Sequence, residues 1–159
     1  GRDGIPLIIT PHPGEMARLC KVTPAEVQAD RLNTARRFAT EHKVLVMLKG
    51  SGTVIADQEG AMWINLTGNP GMSTGGVGDV LTGMTAAWLA QLGRPEHACQ
   101  VAAFLHGLAG DLAADDHGET GMLASDLLAH LGQASREVTE PSRSDRKAPV
   151  MRWPRDDTP

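Results

Sequence analysis

The residues best able to do chemistry lie in one stretch, Asn69-Pro70-Gly71-Met72-Ser73-Thr74-Gly75-Gly76-Val77-Gly78-Asp79. From Thr67 to Asp79 there are five glycines, placed between a run that reads as a strand and one that reads as a helix. Glycine lets another group approach the main chain closely. A helix start adds unpaired N–H donors and about half a positive charge. A transferring phosphoryl group would be stabilised there without a side-chain cation. Asp79 falls at that helix start, where it can accept a proton. A carboxylate is a far weaker base than an alkoxide, so it assists only if proton transfer accompanies bond formation to phosphorus. Read alone, Asp79 is more often an ordinary acidic helix-start residue than a base. The glycine density before it favours the chemical reading. The loop has neither the G-x-x-x-x-G-K-[ST] pattern nor the third glycine of G-x-G-x-x-G.

Other candidates are weaker. His12 stands between prolines in Pro11-His12-Pro13-Gly14-Glu15, where ligand contact and simple solvation are both open. Glu15 is either a ligand contact or an acidic residue favouring the following helix. Lys49 ends a strand and leads into Gly50-Ser51-Gly52-Thr53, so it can meet a phosphate or point to solvent. His106 reads as a satisfied core residue, and His42, His97, His117 and His130 have no ligand spacing. Asp111, Asp115 and Asp116 read as a solvated helix end, so no metal site is expected. Cys20 and Cys99 are far apart and have no zinc or disulfide spacing, which suits a reducing cytoplasm.

Positioning these residues requires an α/β frame. Ile5–Thr10 and Val44–Lys49 are short apolar runs typical of strands in a parallel sheet. Thr53–Ala56 and Ala61–Leu66, joined by Asp57-Gln58-Glu59-Gly60, read as a hairpin. Thr23-Pro24-Ala25-Glu26 is a capping box with Pro at the first helical position, predicting a helix from Pro24 to about Glu41. An apolar helix is expected from Val80 to Leu92, and an amphipathic one from Pro95 through Leu112. A short helix from Asp126 to Leu131 would be capped by Ser125 and stopped by Gly132. Arg136–Pro159, proline-rich and charged, reads as a disordered tail after a domain spanning 1–135.

Composition narrows the function classes. The chain has 159 residues, 41% hydrophobic and 21% charged, which is enough for one cored domain. A net charge of -4 with no basic cluster gives no footprint for nucleic acid. No apolar run approaches the roughly 20 residues of a membrane span. The chain starts without Met and almost on a strand, so upstream sequence is expected.

Gly75-Gly76-Val77-Gly78-Asp79 resembles the G-x-G-D signature of the ribokinase-like superfamily. The longer strings Thr10–Glu15, Leu48–Thr53 and Gly68–Gly83, with His106-Gly107 and Gly121–Asp126, resemble the ADP-dependent NAD(P)H-hydrate dehydratase family, over about Ile5 to Leu131. The resemblance implies a ribokinase-like three-layer α/β/α sandwich with a mostly parallel sheet, here incomplete at its N-terminal side. It implies conversion of (6S)-NADHX or NADPHX to NADH or NADPH, with ADP becoming AMP and phosphate, and magnesium carried on the nucleotide phosphates. By the same resemblance Asp79 would be the base and a substrate contact, and His12 and Glu15 would meet the substrate. Lys49, Gly50, Ser51, Gly52 and Thr53 would meet the nucleotide, as would Asn69, Pro70, Gly71, Met72, Ser73, Thr74, Gly75, Gly76, Val77 and Gly78. A homo-oligomer, a tetramer by analogy, is also implied. A small-alcohol kinase of the same fold and a non-catalytic nucleotide-binding fragment are the alternatives.

Overall fold

Of the run Ile5–Thr10 only Ile8–Ile9 (β1) is a strand, parallel to β2 (Leu45–Leu48) with Ile8 opposite Leu45. The computed structural model describes residues 5–139 and 150–153. All four residues of β2 are buried, as suits a strand with neighbours on both sides. β3 (Val54–Ala56) runs antiparallel to β2, and β4 (Met62–Asn65) antiparallel to β3. β5 (Val150–Trp153) follows β4 in the strand order. The α/β class stands, but among the described ladders only β1–β2 is parallel, so the sheet is mixed where a mostly parallel one was expected. The cause is local. Gly50–Gly52 and Asp57–Gly60 are far shorter than the dozen or so residues a parallel crossover needs. The expected β3–β4 hairpin forms around Asp57, whose Oδ1 accepts from Glu59 N–H at 3.0 Å and Ala61 N–H at 2.7 Å. Gly60 supplies the positive φ, +85°.

The chain divides into two compact units, Gly1–Ile64 with Met151–Pro159, and Asn65–Val150. In the first, α1 (Pro13–Cys20), α2 (Pro24–Ala29) and α3 (Arg31–His42) link β1 to β2. α1, for which the sequence gives no expectation, begins at Pro13 with His12 as its cap. Thr23 and Glu26 form the expected capping box. The expected single helix from Pro24 to Glu41 breaks at Asp30 (φ −149°, ψ 68°), whose side chain caps α3 through Asn33 N–H at 3.2 Å. Met16, Val27, Ala35 and Ala39 from these helices pack with Val46, Leu48, Val54 and Met62 as a core.

In the second unit a 3-10 turn (Pro70–Ser73) precedes α4 (Val77–Leu92), α5 (Pro95–His117) and α6 (Ala124–Thr139). α4 starts three residues earlier than expected. α6 also departs from expectation. Ser125 lies inside it, Asp126 accepts from Leu123 N–H at 2.8 Å, and the helix continues through Gly132. Leu127, Leu131 and Ala134 keep one apolar face against Val77, Leu105 and Ala109. Burying Leu131 and Ala134 outweighs the roughly 1 kcal/mol that an interior glycine costs. Arg136–Thr139 is therefore helical rather than tail, and the remainder of the expected tail, 140–149 and 154–159, lies outside the described residues. Among the described residues no helix is long and apolar enough to cross a membrane.

His130 joins α6 to the end of α5. Its Nδ1 donates to Asp126 O at 2.7 Å and its Nε2 faces Asp116 Oδ2 at 3.1 Å. Hydrogen bonding to the Asp126 carbonyl, followed by the Asp116 carboxylate, raises its pKa above the ordinary 6.5. Because the folded value is the higher one, this contribution is complete below about pH 6.5 and is lost as pH rises through the raised value. Urea unfolding of the wild type and His130→Ala should show a stability gap that is larger near about pH 5.5 than near about pH 9. A gap that widens with pH would refute the assignment.

Candidate functional site

The expected phosphate loop ends at a helix start that nothing caps. Gly76 is the N-cap of α4, at φ +89° and ψ −22°, and no side chain bonds to the helix N-terminus. Asp79 and Val80 both donate to Gly76 O, at 3.0 and 3.1 Å. Val77 and Gly78, the first two helical residues, have no carbonyl one turn earlier to accept from them. A Cβ on Gly75 would meet nothing within 4 Å, so the surface is open there, whereas Gly76 needs its positive φ. Asp79 is exposed in the first helical turn. The arrangement offers backbone donors and a dipole to an anion, with one carboxylate beside them.

The front of the loop is tightly folded. Asn69 caps the 3-10 turn by accepting from Gly71 N–H at 3.0 Å, and a Cβ on Gly71 would collide with the backbone of Glu119. Helix α5 holds this segment at several points. Asn65 Nδ2 donates to Ala103 O at 3.1 Å and Thr67 Oγ1 donates to Phe104 O at 2.9 Å, both residues being buried. Asp111 accepts from Gly68 N–H at 3.1 Å and from Asn69 Nδ2 at 3.2 Å. His106 Nε2 donates to Val77 O at 2.9 Å, tying α5 to the first residue of α4. Two glycines make this contact possible. A Cβ on Gly107 would overlap Thr67, and one on Gly110 would lie 2.8 Å from Met72 Cγ.

Asp111 is therefore no part of a solvated helix end, although Asp115 and Asp116 are exposed. His106 is the buried, satisfied residue expected of it. Sequence spacing missed Asn65, Thr67 and Asp111 because their partners lie 37 to 43 residues away. The available hint was the pair Gly107 and Gly110 inside a long helix, where an interior glycine is unfavourable by roughly 1 kcal/mol relative to alanine.

In the first unit His12, Glu15 and Lys49 come together. His12 Nδ1 accepts from Gly14 N–H at 3.0 Å and Glu15 N–H at 3.3 Å, so the ring proton sits on Nε2. Glu15 Oε2 accepts from His12 N–H at 2.7 Å and lies 3.7 Å from Lys49 Nζ. The His12 backbone bond, reinforced by Lys49, draws the Glu15 carboxyl below its ordinary pKa of 4.5. Glu15 thus completes the capping box of α1. His12 Nε2 lies 3.7 Å from Glu15 Oε1, on a side chain that is half exposed. Lys49 leads into the Gly50–Thr53 turn, whose Gly50 and Gly52 have φ of +146° and +66°. Neither cysteine competes as a nucleophile, since burial raises the Cys20 thiol and pushes Cys99 up to about 12. Among the described residues no three His, Cys, Asp or Glu are grouped to hold a metal.

Comparison with known proteins gives a consistent match. The NAD(P)H-hydrate dehydratase model of the carbohydrate-kinase type matches residues 2–133. A bifunctional NAD(P)H-hydrate repair enzyme from Moorella thermoacetica is 50% identical over 138 residues, covering 87% of this chain and 26% of that protein. A crystal structure of ADP/ATP-dependent NAD(P)H-hydrate dehydratase from Bacillus subtilis, co-crystallised with ATP and Mg2+ and soaked with CoA, is 39% identical with a TM-score of 0.81. That match covers 83% of this chain and 49% of the other. A hydroxyethylthiazole kinase from Pyrococcus horikoshii, 16% identical, shares the fold with a TM-score of 0.72 over 93% of this chain and 55% of its own. The chain thus spans about a quarter of the bifunctional relative and about half of the dehydratase.

The α5 contacts make the loop sensitive to a residue on another helix, Asp111, which bonds to Gly68 and Asn69 at the front of the loop. Asp111→Ala leaves Gly68 N–H and the Asn69 amide without their acceptor and should destabilise the protein by about 1–3 kcal/mol. Asp111→Asn, which keeps one carbonyl oxygen, should lose less. Urea midpoints for the two variants check this, and equal midpoints for wild type and Asp111→Ala would contradict it.

Proposed function

This chain belongs to the NAD(P)H-hydrate dehydratase family and has its ribokinase-like α/β fold; on that premise we propose that it carries the phosphoryl-transfer site of an enzyme that dehydrates (6S)-NADHX and NADPHX to NADH and NADPH at the expense of ADP. The observation that carries this reading is the exposed Asp79 in the first turn of a helix whose N-terminus has no side-chain cap.

The chemistry follows from that arrangement. The substrate hydroxyl attacks the β-phosphorus of ADP, its oxygen forms the new bond to phosphorus, and AMP departs with the electrons of the broken bond. Asp79 takes the hydroxyl proton as that bond forms, when the oxygen has become acidic enough for a carboxylate to accept it. The N–H groups of Gly75, Gly76, Val77 and Gly78 would stabilise the charge spread over the equatorial oxygens of the transferring group. Phosphorylation turns hydroxide, a poor leaving group, into phosphate, a good one. The carbon–oxygen bond then breaks, a neighbouring ring proton is lost to solvent, and the nicotinamide double bond is restored.

The residues present fit a nucleotide. An uncapped helix start behind two glycines suits a phosphate, and the Lys49–Thr53 turn offers a cation and further backbone donors. Magnesium would bind through the nucleotide's own phosphate oxygens and neutralise part of their charge. Asn69–Thr74 forms the wall of the nucleotide site, and the His12 Nε2–H is the donor for the damaged nicotinamide nucleotide. Glu15 sets the orientation of His12 and neutralises Lys49 when no phosphate is near. A cytoplasmic setting and a homo-oligomer accompany this reading.

Incubating the full-length protein with NADHX, ADP and magnesium should restore the absorbance of reduced nicotinamide. Asp79→Asn should slow the reaction by about 10²–10⁴-fold, the usual worth of a positioned base, while keeping nucleotide affinity. Accumulation of a stable phosphorylated product without recovery of absorbance would instead establish a kinase. His12→Asn, which preserves a good helix cap but not the ring Nε2–H, should raise the KM for NADHX with little loss of stability. An unchanged KM would remove His12 from the substrate site.

A further inference from the structure

Arg31 is misplaced by local rules. It is the first residue of α3, where the helix dipole disfavours a cation. Its guanidinium is half-buried, and desolvation lowers its pKa. Its hydrogen bonds go to three backbone carbonyls, with Nη1 donating to Ser51 O at 2.6 Å and Nη2 to Leu48 O at 3.1 Å and Gly52 O at 2.9 Å. Its Nε is buried without an acceptor. A residue that breaks the helix-start preference and gives up hydration is held there by another requirement. That requirement is the turn between β2 and β3.

The turn is shaped around the guanidinium. A Cβ on Gly50 would lie 2.9 Å from Arg31 Cζ and push the guanidinium from its place, and the φ of +146° at Gly50 is one that other residues rarely adopt. The described peptide bonds are all trans, which sets the C=O and N–H of each peptide in opposite directions. The Leu48–Lys49 peptide illustrates the effect. Its carbonyl turns to Arg31 while its N–H donates to Pro11 O at 2.8 Å. By the same geometry, drawing the Ser51 and Gly52 carbonyls to Arg31 turns the N–H groups of Gly52 and Thr53 away from it.

We propose that Arg31 is the positioning residue of the nucleotide turn, fixing three carbonyls on one side so that the Gly52 and Thr53 amides stand ready for the oxygens of an adenine nucleotide. This rests on the nucleotide reading of the turn made above. Arg31 does not touch the nucleotide; it acts through the peptide planes. Lysine cannot replace it, because one ammonium on a flexible stem lacks the planar fork that reaches three acceptors together.

The test compares wild type, Arg31→Lys and Arg31→Met in the full-length protein. Calorimetry gives ADP affinity with magnesium present, steady-state kinetics gives KM for ADP and kcat separately, and urea unfolding gives stability. Both variants should bind ADP at least about tenfold more weakly, the loss expected when two oriented backbone donors are released. KM for ADP should rise similarly and kcat should change far less. Should Arg31→Met fail to fold, Arg31→Lys decides. Affinity and KM within about twofold of wild type in Arg31→Lys, or a loss confined to stability, overturns the proposal. A wild type that binds no ADP overturns the nucleotide reading and the proposal with it, so the two failures appear in different arms.

Discussion

A helix that begins without a side-chain cap leaves its first N–H dipoles to be satisfied by something outside it. α4 begins that way at Gly76, and much of the second unit serves to hold that start in place. With glycine at the cap, this terminus forgoes only about a few tenths of a kcal/mol relative to a Ser or Asp there. The structure offsets this by burying Val77 and tying its carbonyl to His106. The terminus thereby stays rigid, which an anion site requires if its donors are not to reorganise during reaction. The buried α5 contacts at Asn65, Thr67, Gly107 and Asp111 extend this support back to the strand that feeds the loop.

The first unit solves a related problem at its turn. When the amides of a turn face outward, the carbonyls of the same peptides face inward and need a partner there if water cannot reach them. Arg31 engages them there, as α5 side chains and carbonyls fix the segment before the loop. In each unit a residue remote in sequence restrains the main chain, and glycine provides the room.

Much of this was legible in the residues. The glycine density before Asp79, the Thr23–Glu26 capping box and the Asp57–Gly60 hairpin are local signals, and each takes the form its chemistry dictates. What was illegible was either non-local or an exception to a local preference. α1 was hidden because its cap is a histidine, outside the usual set of capping residues. The break at Asp30 was hidden because helical periodicity continues across it. Gly132 misled as a stop signal because packing of Leu131 and Ala134 outweighs its local preference. Asp111 reads as part of a solvated helix end and Arg31 carries no local signal, since only the fold reveals that the groups they meet come from segments about 20 to 40 residues away.

The central claim is that the uncapped start of α4 is the phosphate site. The most direct measurement is a titration of the ¹⁵N-labelled protein with ADP and magnesium, following individual backbone amides by NMR. The N–H resonances of Gly75, Gly76, Val77 and Gly78 should shift together and saturate, and inorganic phosphate should move the same set more weakly. Saturable ADP binding that leaves these four amides unmoved would contradict the account.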